Sequence, residues 1–88
     1  MTEEEYFEEG YNHIEAGRYK YAVECYRKAI EIDPKYANAY NDMGVALDDL
    51  GRKEEAVASY KKAIEIDPKY AMTYNNMGFA LSNLGRFD

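Results

Sequence analysis

Ala29-Ile30-Glu31-Ile32-Asp33-Pro34-Lys35-Tyr36 returns unchanged 34 residues later as Ala63-Ile64-Glu65-Ile66-Asp67-Pro68-Lys69-Tyr70. At that offset residues 3–36 and 37–70 agree at 16 of 34 positions, and residues 71–88 match 37–54 at 10 of 18. A period of this length marks one supersecondary unit stacked on itself, here two copies and half of a third. The repeated octapeptide is itself a helix ending. Proline cannot continue a helix, and the residue before it is pushed out of the α region, so Asp33 and Asp67 are stops.

Working outward from these stops, each repeat reads as two helices. Thr2 and Glu5 form a capping box, with Glu3 to Glu5 placing negative charge where the helix dipole favours it. Tyr6, Phe7, Tyr11 and Ile14 follow at three-and-four spacing until Gly17 ends the helix. The second helix carries Ala22, Val23, Tyr26, Ala29 and Ile30 on one stripe, with Glu24 and Lys28 as a favourable i,i+4 pair. The same reading along the chain predicts five helices, at 3–16, 19–32, 37–50, 53–66 and 71–84. The short turns between them make neighbours antiparallel. The fold class is all-α, and residues 1–88 read as a single domain of repeats 3–36, 37–70 and the half repeat 71–88.

Composition sets the outer bounds. Hydrophobic residues make up 47% and charged residues 32%, a globular mixture. No apolar run is long enough to span a bilayer. The start, Met1-Thr2-Glu3-Glu4-Glu5, is acidic where a secretory signal is basic and then apolar. One cysteine makes no internal disulfide, which suits a reducing compartment; the expected location is the cytoplasm. A net charge of −6 argues against nucleic acid and against anionic membrane as partners.

The residues resemble the tetratricopeptide-repeat (TPR) family. Tyr6, Gly10, Ala22, Tyr26, Ala29 and Pro34 fall at its spacing of aromatic, Gly, Ala, aromatic, Ala and Pro. Tyr40, Met43, Gly44, Leu47, Ala56, Tyr60, Ala63 and Pro68 repeat it more fully, and Tyr74, Met77, Gly78 and Leu81 begin it again. Physically, Gly10, Gly44 and Gly78 are read as points of close helix approach, with alanines opposite and aromatic rings filling the gaps. The resemblance implies a right-handed superhelix in which the first helix of each repeat, the inner helix, lines a concave groove.

Catalysis finds little support in the sequence. His13 and Cys25 are each the sole residue of their type, and Cys25 corresponds to Ser59 one repeat later, which reads as a tolerant, outward position. One His and one Cys on different helices give no metal-ligand spacing. Every glycine serves a stop or a contact, leaving no phosphate loop. The chain is therefore read as a non-enzyme without cofactor or metal. In the first repeat Glu9 and His13 replace the apolar Met43 and Leu47, which reads as a solvated terminal cap with His13 partly buried.

Charge carries the most specific functional signal. The inner segments hold Glu3, Glu4, Glu5, Glu8, Glu9, Glu15, Asp42, Asp48 and Asp49 and no Lys or Arg, while all 11 basic residues lie on outer helices and turns. Groove positions implied by the resemblance are Phe7, Tyr11, Asn38, Asn41, Val45, Asp48, Met72, Asn75, Phe79 and Ser82. Asn41 and Asn75 would form a ladder for an extended peptide backbone, since an amide both donates and accepts. The family's chaperone-tail clamp uses Lys and Arg on inner helices; Phe7, Tyr11, Asp42, Met72 and Asn76 stand there instead. The expected function is a protein- or peptide-binding scaffold for basic or amphipathic peptides. Two alternatives stand beside it: a homo-oligomerising unit, through face-to-face packing or exchange of residues 71–88, and an engineered, consensus-like fragment without a native ligand. The first draws on a third repeat that lacks an outer helix and carries Met72, Met77, Phe79, Leu81, Leu84 and Phe87, a face that a longer array would also cover. The second draws on the high identity between the repeats.

Overall fold

The computed structural model describes residues 1–85 and contains five α-helices and, among the described residues, no strand: α1 (Glu3–Glu15), α2 (Tyr19–Ile32), α3 (Ala37–Asp49), α4 (Lys53–Ile66) and α5 (Ala71–Asn83). Phe87 lies outside the described residues. Each predicted helix is present to within one residue.

Local chemistry explains the boundaries. Thr2 Oγ1 accepts from the Glu5 amide at 3.1 Å and the Glu5 carboxylate accepts from the Thr2 amide at 2.9 Å, completing the capping box. Those bonds hold the Glu5 carboxyl below its ordinary range. At the other end Gly17 takes φ +76°, a left-handed conformation that glycine adopts without a Cβ clash. It lets the Arg18 amide reach back to the His13 carbonyl at 2.8 Å. Gly51 does the same for α3, with Arg52 bonded to the Leu47 carbonyl at 2.9 Å. The repeated octapeptides make matching turns: Asp33 Oδ1 accepts from the Lys35 amide at 3.1 Å, and Asp67 Oδ1 from the Lys69 amide at 3.2 Å. One residue type thus ends the helix and ties down the turn after it.

Packing follows from size. Ala22, Ala29, Ala56 and Ala63 are fully buried, and the Tyr26 and Tyr60 rings beside them are 0% and 1% exposed. A Cβ built on Gly10 would sit 2.7 Å from Tyr26 Cε1, and one on Gly44 would sit 2.7 Å from Tyr60 Cδ1. Glycine is therefore required at both places. Gly78 departs from the expectation set by its register: a Cβ there meets nothing within 4 Å. In the first two repeats the opposing ring comes 16 residues later on the outer helix, and no helix follows α5 among the described residues.

Helices α1, α3 and α5 touch in sequence, α2 lies between α1 and α3, and α4 between α3 and α5; α2 and α4 do not meet. The inner helices form the closer-set layer, and α3, at its centre, buries Ala39, Asn41, Gly44, Ala46 and Leu47.

Three substitutions separate these glycines. Gly10→Ala and Gly44→Ala should each destabilise the fold by about 1–3 kcal/mol through overpacking against a ring. Gly78→Ala should stabilise it by about 0.5–1 kcal/mol, because only helix propensity changes there. Chemical denaturation of the three variants checks both signs.

Candidate functional site

The sequence places six acidic residues and no Lys or Arg on α1, and Asp42, Asp48 and Asp49 on α3, while α5 carries no ionisable group other than Tyr74. The inner layer therefore grades from strongly acidic at α1 to neutral and apolar at α5.

The ten groove candidates meet very different surroundings. Tyr11, Asn38, Met72, Asn75, Phe79 and Ser82 are exposed, Phe79 at 73%. Phe7 is half-buried, stacked on Tyr36 with ring centres 5.2 Å apart and tilted against Tyr26 at 5.6 Å. Val45 is half-buried and packs on the core. Asp48 is half-buried and paired with Lys53, which reaches back from the start of α4 and also donates to the Asp48 carbonyl at 3.2 Å. An inner-helix acid expected to be free is thus neutralised by an outer-helix cation.

Asn41 requires the clearest correction. It is 1% exposed, and its Oδ1 accepts from Asn76 Nδ2 at 3.1 Å while its Nδ2 donates to Asp42 Oδ1 at 3.0 Å. No ladder with Asn75 forms. The cause is stacking: α5 covers the Asn41 site on α3, whereas among the described residues nothing covers the equivalent Asn75 on α5. The polar chain Asn76–Asn41–Asp42 ties α5 to α3 and ends at a half-buried carboxylate. Ser59 is likewise not outward. It is buried, and its hydroxyl donates to the Tyr40 carbonyl at 2.6 Å, linking α4 to α3.

Asp42 emerges as the electrostatic centre. Burial raises its carboxyl above the ordinary range, and the Asn41 bond opposes that only in part. Five phenols are raised around it. Burial is the first cause at Tyr26, Tyr36, Tyr60 and Tyr70, and the hydrogen bond to Glu15 at Tyr11; the Asp42 charge adds to each. Asp42 pairs with no cation among the described residues. The sequence marks it twice, as one of the inner-helix acids and as the residue standing at a position where the family's clamp uses a cation, next to Asn41 of the groove set.

Cys25 and His13, the reactive side chains of the sequence, are both held in local contacts. Cys25 is half-buried, with Sγ 4.0 Å from Glu9 Oε2; burial and the Glu9 charge keep the thiol protonated. His13 is half-buried, and its Nδ1 accepts from Arg18 Nε at 3.0 Å. Among the described residues no three His, Cys, Asp or Glu side chains are placed to share a metal, and no helix is long and apolar enough to cross a membrane.

The paired helices, the glycine–tyrosine contacts and the 34-residue register agree with a profile of the TPR repeat, which matches residues 10–51 and 49–85. The chain belongs to the TPR repeat family. Two crystal structures of MamA superpose on this TPR chain with TM-scores of 0.91 and 0.92, each at 27% identity over 96% of it. The chain spans about half of those proteins, 46% and 49% of their length. The second TPR of Spaghetti (RPAP3), bound to the HSP90 peptide SRMEEVD, superposes with a TM-score of 0.93 at 26% identity, over 97% of this chain and 79% of that one. No curated protein is matched.

Two predictions follow from the site's geometry. Asn41→Ala should cost about 1–3 kcal/mol by stranding its buried partners, while Asn75→Ala should stay within about 0.5 kcal/mol of wild type. Asp42→Asn should raise the melting temperature at neutral pH. With the folded pKa above the unfolded one, Asp42 favours folding only while protonated, and that contribution is lost as pH rises through the folded pKa. The gain should therefore vanish below about pH 4, the unfolded carboxyl range. Melting curves across pH 3–8 read it directly.

Proposed function

We propose that the chain is a non-catalytic TPR scaffold whose inner face binds a basic, amphipathic peptide. The observation that carries this reading is the asymmetry of the inner layer: nine acidic side chains, no Lys or Arg, and a half-buried carboxylate at Asp42 that pairs with no cation among the described residues. A carboxylate disfavoured by burial gains most from an arriving cation, so Asp42 is the anchor for a ligand Lys or Arg. Tyr11, exposed among the tyrosines around it, offers a ring face for the same cation. Tyr11, Met72 and Phe79 supply exposed contact area at the two ends of the layer.

The gradient also orients the ligand. Its basic end lies over α1 and α3, and its apolar end over Met72 and Phe79 on α5. With a longest dimension of 39 Å, the molecule accommodates about 12 residues of extended chain. The RPAP3 domain was solved with SRMEEVD, a peptide with more acidic than basic side chains. The inner helices here carry no Lys or Arg to receive such a ligand, so the shared fold supports peptide binding while the surface charge favours the opposite sign.

Calorimetric titration tests this with a basic amphipathic 12-mer and with SRMEEVD. The basic peptide should bind more tightly and weaken steeply between 0.1 and 1 M salt, as the screening length falls from about 10 to 3 Å. Asp42→Asn should weaken it roughly fivefold, equivalent to about 1 kcal/mol for a partly exposed ion pair. Equal or tighter binding of SRMEEVD would reject the reading.

A further inference from the structure

Asn41 is closed off from water at 1% exposure, so both ends of its amide must find partners inside the protein. The two ends are not interchangeable, since the oxygen accepts and the nitrogen donates. Here the oxygen takes a hydrogen from Asn76 Nδ2 on α5 at 3.1 Å, and the nitrogen gives one to Asp42 Oδ1 on α3 at 3.0 Å. The three side chains form a relay with one direction, every donor pointing toward the carboxylate. Turned round, the same amide would set its oxygen against a carboxylate oxygen. Two acceptors face to face are tolerable only when Asp42 carries a proton.

The half-buried Asn76 holds the amide the favourable way round, because it supplies a hydrogen to the oxygen end. Of the influences on Asp42, burial favours the proton and the Asn41 bond opposes it. The other groups that its charge reaches are phenols: Tyr11 on α1, Tyr26 on α2, Tyr60 on α4, and Tyr36 and Tyr70 just before α3 and α5. All five hold their protons more firmly than a free tyrosine, so none changes charge in the acid range, and α5 brings no Asp, Glu, Lys or Arg.

We infer that Asn76 is a positioning residue of the cation site: acting through Asn41, it keeps a hydrogen-bond donor against Asp42 Oδ1, so the third repeat governs the anchor carried by the second. The ligand it serves rests on the groove reading, the relay only on the hydrogen bonds. Coupling is reciprocal, so a cation that fixes Asp42 as a carboxylate also favours the amide orientation that binds α5 to α3.

NMR titration of the full chain across pH 3–8, following the Asp42 carboxyl carbon and the Asn76 side-chain amide, tests the relay without any peptide. In the wild type the Asn76 signal should move with the Asp42 midpoint, and that of the exposed Asn75 should not. Asn76→Ala should make Asp42 bind its proton about threefold more tightly with helical content unchanged, a change that loss of a merely structural tie would not produce. Asn75→Ala should leave the midpoint where it is. A wild-type Asn76 signal indifferent to Asp42, or an unaltered Asp42 midpoint in a folded Asn76→Ala chain, overturns the relay. Near the midpoint, the basic 12-mer should carry the Asn76 signal to its high-pH position; a 12-mer that binds and leaves it in place overturns the positioning role. A 12-mer that does not bind rejects the groove reading and the ligand assigned to Asn76 with it, while the pH titration decides the relay separately.

Discussion

An aromatic ring resting on bare backbone is the contact from which the rest of the architecture follows. At Gly10 and Gly44 the absent Cβ lets Tyr26 and Tyr60 lie against the neighbouring helix at distances no other residue permits. Each helical hairpin is thereby drawn tight enough for the flanking alanines to close without gaps. A hairpin so closed presents one outer helix to the next inner helix, and stacking becomes the only way to cover what remains apolar. The polar links across the stack, Ser59 to Tyr40 and Asn76 to Asn41, then tie in elements that the rings have already brought together.

What could be read from the chain divides along physical lines. Helix limits were legible to a residue because their causes are local: a capping box at Thr2, left-handed glycines at 17 and 51, and an aspartate before proline at 33 and 67. The groove was much less legible, because exposure at a repeat position depends on what stacks against it. Phe7, Asn41 and Asn75 share one register, yet they are respectively half-buried under Tyr36, sealed by α5, and open. No composition rule distinguishes three such sites. Long side chains blur the pattern further, since Lys53 belongs to an outer helix and still neutralises Asp48 on an inner one. The third glycine shows the same limit: it keeps the register of Gly10 and Gly44, but no ring meets it among the described residues.

The proposed function rests on surface character, since the described residues assemble no constellation of reactive groups. The MamA and RPAP3 structures share this backbone at about a quarter of the residues. A fold held by a few Gly, Ala and Tyr positions leaves most others free to vary, which is how one stack of hairpins presents differently charged inner faces. Asp42 illustrates the cost of such a face. Its carboxylate sits where the fold alone would prefer a neutral group, a local loss of stability that an arriving cation would offset under the proposed function.

The central position of α3 has a consequence for motion. It is covered by α2 and α4 and touched by α1 and α5, whereas α1 and α5 each have neighbours on one side only. Nearly every contact joins elements adjacent in sequence, so loops are closed cheaply and helices can be lost one at a time. Amide protons of α3 should then exchange with solvent only in the globally opened chain, and those of α5 through a fraying step well below it. A ligand or a second subunit that holds α5 in place would slow exchange most at that end of the stack, far more than at its already protected middle.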